Sequence, residues 1–380
     1  MTPRVKVYPP ARAPLRTLGL FVVVAGCGHT DPFTSPPYGT DAPFDPSPPV
    51  RLTLNSLPDL GAAWLPDGSA ILYSTQPAAR ADNDLCLAVL PPTGGRQLQL
   101  TCDLSVGGLD STNAIESPAP SSDGRLAFVE SSGTIGASSA LTQGIAIAPS
   151  LDPRGATMVQ RIPYTVAGEP AHNHVGGLRW LGTGRLVFIG GSVANLADCA
   201  GCPASNVVAD LKIVTLDAAA GASPAVVSGT DFASGVSVGG NEDEIYYTIG
   251  GDSRVFRRTL STGDVAVAHD FGAAGIARDV HVVGNRMTAV VGGRAAFGLN
   301  PVLGPTQRDS GGVVHVVDLA SSTDQSLDDP RFLFRHPALS PTGDRLVAEG
   351  YPLQIFTDPG TGVADTMVSP IGDLYLFGAP

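Results

Sequence analysis

Short stretches of alternating apolar and polar residues, each preceded by a glycine turn, recur along most of the chain. Four copies are clear: AAWLPDGSAILYST, ESPAPSSDGRLAFVES, GLRWLGTGRLVFIGG and PALSPTGDRLVAEG. Because side chains of a strand alternate between its two faces, each copy predicts a hairpin that enters a half-buried strand. Gly68, Gly124, Gly184 or Gly343 closes the turn in each copy, where glycine tolerates a positive φ without steric cost.

The copies share a register and a period. Trp64 and Trp180, the chain's two tryptophans, both fall four residues before the turn glycine. Two weaker copies, VSVGGNEDEIYYTIGG and VHVVGNRMTAVVGG, fill the gap before the last clear one, so residues 51–380 divide into six units of about 55 residues. Each unit continues into a further strand pair. Units of four antiparallel strands predict the blades of an all-β, six-bladed β-propeller, whereas solenoid repeats are usually shorter or helix-bearing.

The last unit lacks one strand. The segment DLYLFGAP supplies its third strand, and RLTLNS (51–56) stands before the first unit without partners of its own. We therefore expect 51–56 to form the outer strand of the last blade. Such an N-terminal strand closes the ring and pairs an edge that would otherwise stay open.

The repeated phrase, with its tryptophan, Pro-Asp-Gly turn and alternating strand, resembles the PD40 (WD40-like) repeats of TolB-like six-bladed propellers. The match is good in four units and poor in the fourth and fifth, where NED and GN replace PDG. The resemblance implies the fold and, as in TolB, a periplasmic module that docks other envelope proteins. TolB carries an additional N-terminal α/β domain, and residues 28–50 are too short and proline-rich to form one, so the partners of TolB are not expected here.

The N-terminus has the features of an export signal. Basic residues precede an apolar run, Leu18–Ala25, that is much shorter than the roughly 20 residues of a membrane helix. The following Val-Ala-Gly-Cys resembles the lipobox of bacterial lipoproteins, which implies that residues 1–26 are a signal peptide and that Cys27 is lipidated. An ordinary cleaved signal is the alternative. Residues 27–50 predict a proline-rich tether, since proline disfavours helices and central strands.

The charge of the chain limits the classes of partner that it is expected to bind. The net charge is −12, and removal of residues 1–26 leaves 19 basic against 35 acidic residues. Such an acidic surface repels phosphate backbones, so nucleic acid is not expected as a partner. Membrane contact is expected through the lipid anchor only. Gly28 after the lipidated cysteine, in place of aspartate, favours the outer membrane, facing the periplasm or the cell surface.

Export makes the remaining four cysteines candidates for disulfides. A hairpin centred on Gly94 places Cys86 opposite Cys102, as cross-strand neighbours. Cys199 and Cys202 form CAGC in a loop segment. A redox-active CAGC would need a thioredoxin-like strand–helix setting, and a metal site would need a second ligand pair, so we interpret both pairs as structural disulfides.

Strand direction places the candidate binding residues at one end of the ring. Face one is the end of the ring that carries the connections between blades and the long insertions between the second and third strands. Face two is the opposite end, which carries the Pro-Asp-Gly-type turns. Binding residues tend to lie on such varied loops of a rigid scaffold. The residues just before each first strand are expected at the channel mouth on face one: Asp59, Glu116, His172, His174, Asp231, Asp279 and His336.

The histidines allow a second interpretation. His172 and His174 lie in EPAHNHVGG, where an extended backbone would put both imidazoles on one side. Together with His336 and a carboxylate such as Glu116 they could hold a divalent metal. The alternative is that these are loop histidines bonded to backbone and water.

Two functions follow from these patterns. The first is a non-catalytic, lipid-anchored envelope propeller that binds an envelope protein, peptide or glycan on face one, as a monomer and without a cofactor. The second is a metal-dependent lyase or hydrolase that uses His172, His174 and His336 at the channel mouth.

Overall fold

The described residues form six blades of four antiparallel strands, five of them as four-stranded sheets and the last within a five-stranded sheet, which confirms the all-β, six-bladed propeller. The computed structural model describes residues 49–54, 58–76, 85–102, 114–132, 142–162, 165–166, 169–170, 172–195, 206–292, 296–300, 304–308, 311–357, 364–368 and 372–379. Within these ranges the one helical element is a 3-10 turn, Gly272–Ala274, and no helix has the length and hydrophobicity of a membrane span.

The first three blades follow one another along the chain, after a short strand β1 (Val50–Arg51) that belongs to the last blade. Blade 1 contains β2 (Asp59–Trp64), β3 (Ile71–Thr75), β4 (Cys86–Leu90) and β5 (Gln99–Thr101). Blade 2 contains β6 (Ala114–Pro120), β7 (Leu126–Ser132), β8 (Thr142–Ala148) and β9 (Thr157–Ile162). After a hairpin of β10 (Thr165–Val166) and β11 (Glu169–Pro170), blade 3 contains β12 (His172–Leu181), β13 (Arg185–Asn195), β14 (Asn206–Asp217) and β15 (Ala225–Val226).

The second half of the chain repeats this arrangement. Blade 4 contains β16 (Ala233–Val238), β17 (Glu244–Ile249), β18 (Arg254–Thr259) and β19 (Val265–Asp270). Blade 5 contains β20 (Ala277–Val283), β21 (Arg286–Val291), β24 (Val313–Asp318) and β25 (Thr323–Leu327), with the hairpin β22 (Ala296–Asn300) and β23 (Gly304–Arg308) inserted. Blade 6 contains β26 (Phe332–Leu339), β27 (Arg345–Thr357) and β29 (Asp373–Gly378), with β28 (Ala364–Val368) paired to the far end of β27.

The hydrophobic core lies between neighbouring blades. All five residues of β3 are buried, because each middle strand is covered on both faces by other parts of the propeller. The cluster between the last and first blades joins Tyr73 and Ile71 to Val347 and Leu376. Complete burial of an aliphatic or aromatic side chain contributes about 1.5 to 3 kcal/mol, so each blade depends on its neighbours for stability.

The ring closes as expected, through the N-terminal strand. β1 pairs with β29 in antiparallel register, Val50 opposite Leu376, and the amide of Leu52 donates to the Leu374 carbonyl at 2.7 Å. Among the described residues of the predicted strand 51–56, regular pairing ends at Arg51, because the next amide of β29 is bonded to a side chain. The Leu374 N–H donates to Thr53 Oγ1 at 2.9 Å, which ends the ladder.

The two tryptophans make equivalent contacts between blades. Trp64 donates its indole N–H to the carbonyl of Ala338 at 2.9 Å, and Trp180 donates to the carbonyl of Ala119 at 2.7 Å. An arginine of the preceding blade lies over each ring: Arg345 over Trp64 and Arg125 over Trp180, at 5.5 and 4.7 Å from the ring centroids. Their shared sequence register therefore corresponds to a shared structural position.

The turn glycines follow the prediction in three of the four clear copies. Gly68, Gly124 and Gly343 have positive φ, at 72°, 88° and 72°. The expectation for Gly184 is wrong: Leu181 pairs directly with Arg185, which shortens the turn, and the left-handed residue is Gly182 with φ 64°.

The first strands contact one another around the ring, and each breaks register at a β-bulge. In five blades the first bulge residue has a positive φ between 45° and 64°: Gly61, Ser117, Gly177, Asp279 and His336. In blade 4 the bulge lies between Ala233 and Gly235 instead. A positive φ is strained for the non-glycine residues, and β-bulges commonly re-aim side chains near functional sites.

The Cys86–Cys102 pairing is confirmed. β4 and β5 pair with Ala88 opposite Leu100, and the two cysteines at the end of this ladder form a disulfide with a Cα–Cα distance of 4.6 Å. The proposed Cys199–Cys202 disulfide lies outside the described residues and stays a prediction.

Candidate functional site

The residues expected just before the first strands mostly lie within them. Each first strand also pairs with the second strand on the face-one side of the bulge. It therefore begins earlier in the chain than predicted. The residues corrected in this way are Asp59, Glu116, His172, His174, Asp279 and His336. Asp231 does precede its strand, on an exposed loop, and its carboxylate lies 3.4 Å from the Lys212 ammonium.

Two of these residues, Asp279 and His336, meet where the bulges of blades 5 and 6 come together. Asp279 Oδ1 lies 3.7 Å from His336 Nε2, and Asp279 Oδ2 accepts the backbone N–H of His336 at 3.3 Å. The other ring nitrogen, Nδ1, lies 2.8 Å from Oε1 of Glu349 in β27. The imidazole of His336 is thus held between two carboxylates.

Glu349 connects the last blade to the first. Its side chain is fully buried, and its Oε1 also accepts the backbone N–H of Gly61 at 2.6 Å. Its Oε2 accepts the hydroxyl of Tyr351 at 2.7 Å. A buried carboxylate is stable only when donors and charges of this kind compensate it. The network therefore depends on the closed ring.

The network sets the protonation of its members. Burial acts to raise the pKa of Glu349, but the positive His336, its hydrogen bond and Arg335 lower that pKa to about 2. Burial acts to lower the pKa of His336, but Glu349 and Asp279 outweigh it and raise the pKa above its ordinary value. Burial, reinforced by the charge of Glu349, raises the pKa of Tyr351, which keeps its hydroxyl protonated as a donor. The two carboxylates therefore favour the protonated form of the His336 imidazole.

These shifts link stability to pH. Glu349 ionises below its ordinary pKa of 4.5, so it stabilises the fold in full above about pH 4.5 and loses this effect as the pH falls towards 2. The raised pKa of His336 stabilises the fold in full below pH 6.5 and loses this effect as the pH rises through the folded-state pKa. Both contributions are complete between about pH 4.5 and 6.5.

Asp59 belongs to a different contact. Asp59 is fully buried in β2. Burial of the Tyr73 hydroxyl, and to a smaller extent the charge of Asp59, raises the pKa of that hydroxyl. The side-chain amide of Gln97 donates to the same hydroxyl at 2.6 Å. Glu116 lies in β6 opposite Val129 of β7.

The predicted metal site stays a prediction. His172 and His174 lie two positions apart in β12, opposite Val193 and Gly191, and their side chains lie outside the described residues. Among the side chains that the structure does describe, no group of three or more His, Cys, Asp or Glu residues is arranged to hold a metal.

The sequence pattern does not single out Glu349 or Tyr351, although a signal is present. The two residues share one face of β27, since they are two positions apart. Glu349 pairs with the residue just before the bulge of its blade. The residues that pair at this position in the other clear copies are Ser74, Val129 and Ile189. An acid in the interior of an otherwise apolar strand needs compensating partners, and this marks it for attention.

The fold has neighbours among solved structures. Regucalcin, a calcium-binding protein from Agrobacterium tumefaciens, matches with a TM-score of 0.52 at 13% identity, over 87% of this chain and 92% of that chain. A gluconolactonase from Xanthomonas campestris matches with a TM-score of 0.51 at 13% identity, over 87% of this chain and 89% of that chain. TolB from Acinetobacter baumannii gives a TM-score of 0.47 at 14% identity, over 82% and 67%. No family model and no curated protein matches the sequence.

At these identities the likeness extends to the fold alone. The expected six-bladed propeller is confirmed at that level. The same architecture occurs in a calcium-binding protein and in an enzyme, so function has to be argued from the site.

Proposed function

We propose that the protein is a lipid-anchored envelope propeller that binds a protein or peptide partner at the channel mouth on face one. The observation that carries this proposal is the position of His336 between Asp279 and Glu349. With both ring nitrogens facing carboxylates, the protonated form of His336 is favoured. A histidine in that state is a poor general base and a poor metal ligand, since both roles need a free nitrogen lone pair. The geometry supports recognition better than chemistry.

The exposed edge of the network offers specific contacts. The His336 side chain is 42% exposed and that of Asp279 is 16% exposed, so a partner meets opposite charges 3.7 Å apart. Both are held by the backbone of bulged, paired strands, so little conformational freedom is lost on binding. The acidic balance of the chain suits a partner segment with positive charge.

The proposed location in the cell envelope depends on the N-terminal sequence. Cys27, the signal residues 1–26 and the tether up to residue 48 lie outside the described residues, so this part of the proposal depends on the lipobox-like Val-Ala-Gly-Cys.

Partner capture from native membranes tests the binding role. We expect crosslinking of the intact lipoprotein to enrich an envelope protein, and Asp279→Asn to reduce that enrichment by about tenfold, because it removes the partly exposed negative charge beside His336. Quantitative mass spectrometry gives the readout. The control is Asp152→Asn, which removes an exposed carboxylate from a turn on face two and should leave the enrichment unchanged.

Two outcomes contradict the proposal. One is equal capture of every envelope protein by wild type and Asp279→Asn. The other is stoichiometric Mn, Zn or Ca in the purified protein that is lost on His174→Ala, which would support the metal-dependent lyase or hydrolase instead.

A further inference from the structure

A separate cavity lies on the face-two side of the bulges. It has a volume of about 210 Å³ and is lined by the first strands of five blades and by two turns. Its walls are mostly apolar and include Pro66, Pro118, Pro120 and Pro341. The size is below the roughly 300 to 1,000 Å³ of sites for drug-sized ligands, so a small molecule fits it best.

One cation, Arg179 of β12, lines this cavity. Its Nη1 donates to the Leu178 carbonyl at 2.9 Å, and its buried Nε has no acceptor among the described residues. No described carboxylate lies within 4.0 Å of the guanidinium, and Asp279 acts on it only at longer range. Burial lowers the pKa of Arg179 to about 10, which leaves it charged at neutral pH. Arg179 is partly buried, and a buried guanidinium nitrogen such as its Nε is costly when no group accepts from it.

A neutral donor lies beside the cation. His281 Nδ1 accepts the backbone N–H of Leu339 at 3.1 Å, which places the proton of the neutral ring on Nε2. Burial and the charge of Arg179 lower the pKa of His281 to about 3, so the ring is neutral under physiological conditions. His281 therefore adds an N–H donor to the lining of the cavity without adding charge.

The two tryptophans complete the lining. The indole N–H groups of Trp64 and Trp180 are bonded to backbone carbonyls, so these residues present aromatic surface to the cavity. One guanidinium, one neutral donor and apolar walls suit a single negative charge on an apolar body. A guanidinium matches a carboxylate with two parallel hydrogen bonds. A phosphate dianion would leave charge uncompensated here.

We infer that the face-two cavity binds a small monocarboxylate with a short apolar or aromatic body, held by Arg179 and His281. Neither Asp279 nor His336 lines this cavity, so its test and the test of the partner surface can fail independently.

Benzoate is a suitable probe, with benzyl alcohol as a neutral analogue and inorganic phosphate as an anion without an apolar body. Because Trp64 and Trp180 are the only tryptophans of the chain, their two indole N–H signals in a ¹H–¹⁵N spectrum report on this cavity alone. We expect benzoate to shift both signals saturably in the wild-type protein. Benzyl alcohol and phosphate should bind at least about tenfold more weakly, since a lost charged contact is worth this much or more.

Arg179→Met should weaken benzoate binding by at least about tenfold. Arg154→Met, which removes an exposed arginine on a blade 2 turn, is the control and should bind as the wild type does. If Arg179→Met does not fold, the comparison of benzoate with benzyl alcohol in the wild type decides. The inference is overturned if benzoate gives no saturable shift at millimolar concentrations, if benzyl alcohol binds as tightly, or if a folded Arg179→Met keeps wild-type affinity.

Discussion

Replacing Arg51 with methionine should lower the free energy of unfolding by about 3 to 5 kcal/mol, the range for removing one partner of a buried ion pair. Arg51 Nη2 lies 2.6 Å from Asp373 Oδ2, and the two side chains are only 7% and 4% exposed. The pair joins the N-terminal strand to the last blade. Without the guanidinium, the negative charge of Asp373 stays buried at the seam of the ring. Equilibrium denaturation in urea measures the change.

The matched control is Arg154→Met. Arg154 pairs with Asp152 at the same distance, 2.6 Å, but its side chain is 74% exposed. Water and salt screen such a pair, so its loss should leave the unfolding free energy nearly unchanged. Similar small losses in Arg51→Met and Arg154→Met would contradict the closure of the ring through residues 50–53.

Replacing Glu349 with leucine should lower the free energy of unfolding by about 2 to 6 kcal/mol, at about 1 to 3 kcal/mol for each of two buried donors left without an acceptor. The change leaves the Gly61 N–H and the Tyr351 hydroxyl without their acceptor, and it removes the fully buried counter-charge of His336. Glu349→Gln keeps the shape and an acceptor oxygen, so a smaller loss is expected. Urea denaturation at pH 5.5, where both linked contributions are complete, gives the largest difference.

Glu244→Gln serves as the control for this pair of variants. Glu244 lies at the start of β17 and pairs loosely, at 3.7 Å, with Arg257, whose side chain is 52% exposed, so its neutralisation should have little effect. An equal loss in Glu349→Leu and Glu244→Gln would show that Glu349 does not stabilise the seam between the last and first blades.

The sequence predicts the blades well because their signals are local. Alternation identifies each second strand, and Gly68, Gly124 and Gly343 mark the turns before it. The shared register of Trp64 and Trp180 anticipates two equivalent inter-blade contacts. These features depend on residues close together within each unit, so comparing the units along the chain is enough to reveal them.

The bulges are not predictable in the same way. Ser117, Asp279 and His336 adopt positive φ because the strand pairs with its neighbour on both sides of the bulge. Nothing in the local sequence requires that conformation, although aspartate and histidine tolerate it better than most residues. As a result, six of the seven candidate site residues, all but Asp231, are predicted before the first strands and lie within them in the structure.

The partners of the site are hidden for a related reason. Asp279 and His336 are recognisable as polar residues near a channel mouth, but Glu349 reaches Gly61 only when the last blade meets the first, across 288 positions. Arg179 and His281 likewise meet one cavity from different blades. Such contacts depend on ring geometry, which periodicity does not encode.

The charge state of His336 tests the central claim most directly. Titration of its imidazole C–H signal by NMR, assigned by its absence from His336→Asn, reports the pKa of this histidine among the seven of the chain. The structure predicts a pKa above 6.5 in the wild type and a lower pKa in Glu349→Gln. A wild-type pKa of 6.5 or below, or one that Glu349→Gln leaves unchanged, would contradict a mouth built on an imidazolium held between two carboxylates.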